Sequence, residues 1–400
     1  MLRPDTIGLT TLLGLLTAFG PVATDMYIPS MPEISRLLDA STSEVQLTLS
    51  SYLAGIAIGQ VIYGPISDRY GRKPVLLLAL VLFCGASALC SAAPNIEILI
   101  IARTLQAIGG SGAIVLPRAI VRDLYDGARA GRELSRIGAV MSIAPVVAPL
   151  VGGILQLSFG WRASFLGILC VGLLATIITW RSMPEKLRHR APPASAINIL
   201  RSYRVLAKNR VLLVHLGIIA SSYAGLFAWI SGSPFVLQDL YGLSAFGFSV
   251  AFALACIGSL TGAAIATSLV IRIGLDLTIG LGALTLASGG LAMVASLELG
   301  MAPVASLVLS MMLYQIGLML AMPQAIAGSM APFPDRAGAA SSLIGLTQQT
   351  SAAVLGAVVG HTLGPTAWPL VIAVAMTGCV PLVLWTASRY RHRRRILARG

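Results

Sequence analysis

The sequence predicts an all-α polytopic membrane protein, with twelve transmembrane helices in two pseudo-symmetric six-helix bundles. Three observations predict it. First, the 400 residues are 56% hydrophobic and 11% charged, with a mean hydropathy of +0.85, whereas soluble domains carry about a quarter charged residues. Second, apolar runs near the roughly 20 residues that cross a hydrocarbon core recur twelve times, separated by charges and by Pro or Gly. Third, Arg69-Tyr-Gly71, between the second and third runs, returns 203 positions on as Arg272-Ile-Gly274, between the eighth and ninth. A match at equivalent hairpins marks parallel repeats. Period-two alternation is absent, which excludes a β-barrel.

The first run, 7–28, follows Arg3 and resembles a secretory signal, but it continues to Ile28 and a second run follows at 45–66, so it reads as an uncleaved helix. The hairpin 64–74 holds Gly64, Asp68, Arg69, Gly71, Arg72 and Lys73 before the third run at 75–93. Gly64 is expected to allow close helix packing and Gly71 to permit a left-handed turn, while Asp68 is placed to accept from helix N-terminal amides or to pair with Arg72. Runs four to six fall at 96–117, 134–157 and 163–180. The fifth contains Ala144-Pro145, Ala148-Pro149 and Gly152-Gly153, a mixture of small residues and prolines that suits close packing and a kink. One connection is long: Arg181 to Arg210, with Pro184, Pro192, Pro193 and eight Lys/Arg. It divides the chain into an N-terminal bundle at 1–180, a basic linker at 181–209 and a C-terminal bundle at 210–400. The second half repeats the pattern at 210–233, 246–270, 276–296, 303–327, 338–361 and 368–388.

The formal charge of +13 invites a nucleic-acid partner, but the basic residues sort by side of the membrane. With the N-terminus in the cytoplasm, only Arg36 and Arg162 fall in outer loops and Arg103 within a span. This asymmetry places both termini inside and makes the basic tail from Arg389 to Arg395 an anchor for anionic lipid. Cys84, Cys90, Cys170, Cys256 and Cys379 lie in apolar runs without CxxC spacing, so neither disulfides nor a metal is expected. No nucleophile–base set or phosphate-binding Gly-Lys-Ser/Thr loop occurs, which disfavours an enzyme, an ATP-driven pump and any resident cofactor.

Asp25 is the acid within the first-half spans, where a carboxylate costs roughly 2.5–3.5 kcal/mol at the bilayer centre and so needs a cavity or a partner. Arg103 lies at a similar depth, about two helical turns away or less. Each residue has two open readings. Asp25 either titrates or caps the outer end of helix one; Arg103 either works with it or donates to backbone carbonyls at a helix junction.

Twelve spans, a basic central linker and the 64–74 hairpin together resemble the major facilitator superfamily over essentially the whole chain. Thr24-Asp-Met-Tyr-Ile-Pro-Ser-Met-Pro32, Gln46-Leu-Thr-Leu-Ser50, Gly59-Gln-Val-Ile-Tyr-Gly-Pro65, Arg122-Asp-Leu-Tyr125 and Thr366-Ala-Trp-Pro369 are similar to its Bcr/CflA group of drug:proton antiporters. The resemblance implies a bacterial inner-membrane exporter of small apolar or amphipathic antibiotics that works as a monomer by alternating access. Asp25 and Arg103 would then couple to the proton, with Arg103 matching part of an Arg-x-x-Gln-Gly pattern. Asp123 would join the 64–74 cluster as a partner of Arg72 and gate the conformational change. Ala148, Pro149 and Gly152 would be what remains of the antiporter signature of helix five, where Ser135, Ala144 and Ala148 stand in place of the usual glycines. Tyr27, Tyr52, Gln106, Tyr223 and Gln315 are candidates for an apolar substrate cavity with a few polar handles; each also reads as helix glue or an interfacial anchor. Rival readings are an exporter of a physiological metabolite, such as an amino acid or siderophore, and a membrane receptor or scaffold without turnover.

Overall fold

Among the described residues every long element is a helix, and the prolines decide where the first of them breaks. The computed structural model describes residues 7–125, 127–183, 204–301, 303–333 and 337–397, with side chains 7, 127, 128, 131, 135, 139, 142, 337, 338 and 391–397 excepted. Arg3, Arg336, Arg399 and the body of the linker, 184–203, therefore lie outside the described residues, as does the side chain of Ser135.

Span one comprises α1 (Ile7–Thr17), α2 (Phe19–Asp25), a 3-10 turn at Ile28–Ser30 and α3 (Met31–Leu37). A proline ring clashes with the carbonyl four residues earlier and offers that carbonyl no N–H. Pro21 thus acts against Thr17, the last residue of α1, and Pro29 against Asp25, the last residue of α2. The chain bends by 42° between Gly8–Thr17 and Phe19–Leu37. The expected end of span one at residue 28 is therefore too early, because the Pro-rich stretch continues as 3-10 and α-helix to Leu37.

The remaining elements are α4 (Thr42–Tyr70), α5 (Arg72–Ser91), α6 (Ile96–Leu124), α7 (Gly127–Phe159), α8 (Arg162–Ser182), α9 (Arg210–Pro234), α10 (Ala245–Glu298), α11 (Pro303–Met330), α12 (Ala337–Thr362) and α13 (Trp368–Leu397). Side-chain caps start four of them, Ser244 accepting from Gly247 N at the head of α10. Ser41 and Glu44 form a reciprocal capping box on α4, and Asn95 and Asn209 accept from Ile98 N and Leu212 N at the heads of α6 and α9. Among the described residues ten helices are long and apolar enough to cross a bilayer. The 54-residue α10, one of these ten, is itself two spans joined, because Gly274 interrupts it at φ 78°, and the bent α1–α3 supplies one more. Twelve spans result. Leu78, Leu157, Leu174, Met376 and Val383 point outward and exposed, a surface suited to lipid and hazardous in water.

The chain separates into two compact units, Met1–Ala194 with Leu243–Ala253, and Ser195–Gly242 with Leu254–Gly400. Lipid offers helices no hydrophobic incentive to associate, so small residues that bring backbones together carry the packing. The same seam recurs in both units. A Cβ on Gly109 of α6 would lie 2.5 Å from Phe83 N and 2.7 Å from Ala79 O on α5. One on Gly317 of α11 would lie 2.5 Å from Leu286 N and 2.7 Å from Gly282 O on α10. Phe83 and Leu286 are 203 positions apart, the interval of the repeated tripeptide.

Two expectations need correction. Gly64 does not mediate close packing: a Cβ there meets nothing. The close approach of α4 to α6 falls at Gly55, where a Cβ would lie 2.6 Å from Thr104 O, and at Gly59, where it would sit on Ser111 Oγ. Nine residues at 100° each place Gly64 on the opposite side of the helix from Gly55. Asp25 is also not alone as an embedded acid, because α7 begins at Gly127 and buries Glu133.

Candidate functional site

Among the described residues three charged side chains are buried: Asp25 (5% exposed), Arg103 (0%) and Glu133 (6%), all in the first unit. The equivalent of Arg103 in the second unit, counted from the paired glycines Gly109 and Gly317, is the buried apolar Met311. Charge chemistry inside the helices therefore belongs to one half.

Asp25 sits at the helix end that Pro29 creates. Thr24 Oγ1 lies 3.0 Å from its Oδ1, and 3.0 and 3.1 Å from the carbonyls of Gly20 and Pro21. One hydroxyl proton serves these acceptors, so the geometry suits two states of Asp25. Thr24 donates to the carboxylate, or it donates to a helix carbonyl and accepts from the carboxylic acid. Just beyond Asp25, Ser30 N turns to Tyr27 O instead of Met26 O, as a 3-10 turn requires. The backbone of Met26 is approached at that point by Gly152 of α7, whose Cβ would sit on Met26 O and 2.8 Å from Met26 C. Gly152 thus holds the broken helix from the side. Ala148 and Pro149, one turn earlier, are buried.

Arg103, on α6, forms no ion pair with Asp25. Its Nη1 donates to Ala23 O at 2.9 Å and to Gln106 Oε1 at 2.6 Å. A chain of bonds fixes the Gln106 amide, with Nε2 donating to Ser87 Oγ at 2.8 Å and Ser87 Oγ donating to Phe83 O at 2.7 Å. The rings of Tyr52, Tyr27 and Phe165 lie 4.2, 4.8 and 5.8 Å from the guanidinium carbon, within cation–π range. Thr48 Oγ1 gives its proton to Val45 O at 2.6 Å, so Tyr27 OH is the donor in its 2.6 Å bond to Thr48.

Of the five cavity candidates, Tyr27, Tyr52 and Gln106 thus form the inner shell of Arg103 and are fully buried. The other two lie in the second unit. Gln315 Oε1 accepts from Ser259 Oγ, and Tyr223 is half-buried on α9.

The 64–74 hairpin is built around Arg72. Its Nη1 lies 2.5 Å from Asp68 Oδ1 and donates to Ser67 Oγ at 2.5 Å, while its Nε donates to Asp123 Oδ2 at 2.8 Å. Gly71, between α4 and α5, has φ 100° and ψ 152°, an extended mirror-image conformation open essentially to glycine alone, in place of the expected left-handed turn. Arg69 stacks on Tyr70 at 5.2 Å, and Lys73 is half-buried beside Arg72. Asp68 is the more exposed partner, at 41% against 29% for Asp123. Asp68→Asn should therefore change stability by less than about 1 kcal/mol, and Asp123→Asn, which unties α6 from α5, by more. Thermal unfolding of the purified variants checks this; equal midpoints would overturn the ranking.

Sequence reasoning missed two clusters. Glu133 accepts from Thr10 Oγ1 at 2.5 Å and Arg136 Nη1 at 2.8 Å, fastening α7 to α1. It stands one residue before the fifth apolar run, so hydropathy alone left it in a loop. In the second unit Gly274 repeats the positive φ of Gly71, but the charges around it are new. Trp385 Nε1 donates to Asp276 O at 3.0 Å, and Arg389 Nε lies 3.6 Å from Asp276 Oδ2 while stacking on Trp385 at 5.1 Å. The partners lie more than 100 positions apart in the sequence, so no local motif signals them.

Twelve spans in a repeated helical architecture, with charge buried inside one half and no catalytic constellation among the described residues, define a membrane transporter. Residues 13–357 match the Major Facilitator Superfamily, and the chain belongs to that family. It is 34% identical over 359 residues to an uncharacterized MFS-type transporter, YdgK, of Bacillus subtilis, covering 89% of each chain. It is 31% identical to the bicyclomycin resistance protein homolog of Haemophilus influenzae, covering 92% of each. It is 30% identical to multidrug resistance protein D of Escherichia coli, covering 98% of this chain and 99% of the relative. The fold is shared with the nucleoside transporter NupG (TM-score 0.77, 12% identity, 95% and 98% of the chains) and the xylose transporter XylE of E. coli (0.73, 17%, 94% and 95%).

Proposed function

We propose that this chain is a proton-coupled exporter of small apolar or amphipathic antibiotics, working by alternating access in a bacterial inner membrane. The observation that carries the proposal is Asp25: an acid buried at a proline-made helix break, with Thr24 able to serve it protonated or ionised. The names of two relatives, a bicyclomycin resistance protein homolog and multidrug resistance protein D, support the cargo class. Asp25 takes up a proton from one side and releases it to the other, and Arg103 fixes the backbone beside it. The Arg72 clamp closes and opens with the change of access. A proton moving down the membrane potential supplies roughly 2.3 kcal/mol per 100 mV. The basic residues' sidedness supports cytoplasmic termini, and a single chain suffices for this cycle.

Uptake into everted membrane vesicles tests the proposal. A proton gradient is imposed, chloramphenicol, a sulfonamide and bicyclomycin are added in turn, and uptake is followed together with gradient dissipation. Gradient-dependent accumulation of at least one drug is expected. Well-folded protein that moves none of them and releases no protons would overturn the drug reading in favour of a physiological metabolite.

A further inference from the structure

Span one breaks twice, yet it keeps its register against α7, which runs unbroken from Gly127 to Phe159. Thr10 meets Glu133 at one end, and at the other Gln156 Nε2 donates to Glu33 Oε2 at 2.9 Å; both pairs are 123 positions apart. Two close contacts lie between them, Gly14 with Val140 and Met26 with Gly152, both 126 positions apart. α7 is therefore a splint along a jointed helix, with a hydrogen-bonded carboxylate at each end.

The two limbs of the joint are held differently. Around α2, Arg103 of α6 donates to Ala23 O at 2.9 Å, Phe83 of α5 lies 5.0 Å from Phe19, and Gly152 abuts Met26. α1 rests on α7 where a Cβ on Gly14 would lie 3.1 Å from Val140 Cβ, and it is fastened there by the Thr10–Glu133 bond. At the joint itself Pro21 offers Thr17 O no N–H, and the chain bends by 42°. Glu133 can release Thr10 without being orphaned. Arg136, from the same helix and 53% exposed, binds its other oxygen at 2.8 Å and stays with it when α1 leaves. For stability alone, apolar side chains would fasten the two helices as well as a buried charge does.

We propose that Glu133 is a positioning residue of the transport cycle, a latch that holds α1 on α7 and opens so that α1 swings on the joint at Thr17–Ala18. The swing uncovers Leu12, Leu13 and Leu16, which are buried in the latched state, and opens the side of span one that leads to Asp25. The Glu33–Gln156 bond and Arg103 keep α2 and α3 in place meanwhile. The consequence for Asp25 rests on the exporter reading above; the hinge does not.

Spin-label distances in the full chain test the hinge, with the exposed Cys170 and the partly exposed Cys379 replaced by alanine. One label pair sits on Leu15→Cys and Ile143→Cys, at exposed positions of α1 and α7; a reference pair sits on Leu37→Cys and Phe159→Cys, at the far ends of α3 and α7. Thr10→Val, which removes the donor and keeps the shape, is expected to raise the ratio of long to short distances at the first pair by about tenfold or more. The reference pair should keep one distance. Glu133→Ala should act like Thr10→Val, and Glu133→Gln, whose amide oxygen still accepts from Thr10, should restore the short distance. A single unchanged distance at the first pair in all variants overturns the proposal. A lock gives the second readout and decides should those variants not fold. Gly14→Cys with Val140→Cys places two thiols within disulfide reach. Oxidation is expected to lower gradient-driven drug accumulation in vesicles by about tenfold or more, and reduction to restore it; equal accumulation in both states overturns the proposal. A swinging α1 without flux of any compound would keep the latch and remove the exporter reading. Drug flux untouched by the lock would do the reverse.

Discussion

Asp25→Asn should leave the protein folded and abolish gradient-driven accumulation of cargo. The two side chains are isosteric, and the asparagine Oδ1 can still accept from Thr24 Oγ1, which lies 3.0 Å from the aspartate oxygen. The amide avoids embedding a charge but remains polar, so stability should hold. What the amide cannot do is bind and release a proton. Accumulation against a gradient would vanish, and cargo-induced proton release would vanish with it. Downhill exchange of cargo can survive, because the rest of the cycle is untouched. Everted vesicles carrying the variant give the readout; a cargo gradient equal to that of wild type would remove Asp25 from the coupling mechanism.

Gly152→Ala should destabilise the protein, against the ordinary sign of that substitution. In an open helix, alanine is better than glycine by roughly 0.5–1 kcal/mol. At Gly152 the new methyl would sit on the carbonyl of Met26, with Met26 Cα 3.0 Å away. Neither side yields easily, since the obstacle is backbone and belongs to a segment fixed by Pro29 and the 3-10 turn at Ile28–Ser30. Overpacking of this kind costs about 1–3 kcal/mol, which outweighs the helix gain. The displaced backbone is one residue from Asp25, so transport should fall with Tm. Gly138→Ala, on the same helix, is the control, because a Cβ there meets nothing. It should be neutral or slightly stabilising. Equal Tm values for the two variants would show that α7 does not wedge the broken helix.

The features that were legible in the sequence are those that depend on local chemistry or on lipid as solvent. Twelve apolar runs correspond to twelve spans because a backbone in hydrocarbon must satisfy its own hydrogen bonds, and a helix of about 20 residues is the shortest way to do so. Gly71 and Gly274 were legible as turn glycines, since a positive φ is strained for any other residue. The end of span one was misread because Pro29, Pro32, Glu33 and Arg36 look like a loop, whereas prolines at the starts of a 3-10 turn and of α3 occupy positions where no N–H is needed. Gly64 was misassigned for want of the rotational phase of α4 against α6. Glu133 was missed because burial at a helix end depends on which neighbour covers it, here Thr10 of α1.

The sequence by itself determined the solvent, the number of spans, the repeat and the family, because each follows from hydropathy, spacing or motif along one chain. Tertiary structure alone decided which charged groups meet. Arg103 and Asp25 share a depth but form no ion pair, and the cation instead holds the backbone at Ala23. Arg72 reaches Asp68 one turn away and Asp123 on a different helix. Depth can be counted from a helix end at 1.5 Å per residue, but facing depends on the relative rotation of packed helices, which glycine contacts such as Gly109 against Phe83 and Gly152 against Met26 set in three dimensions.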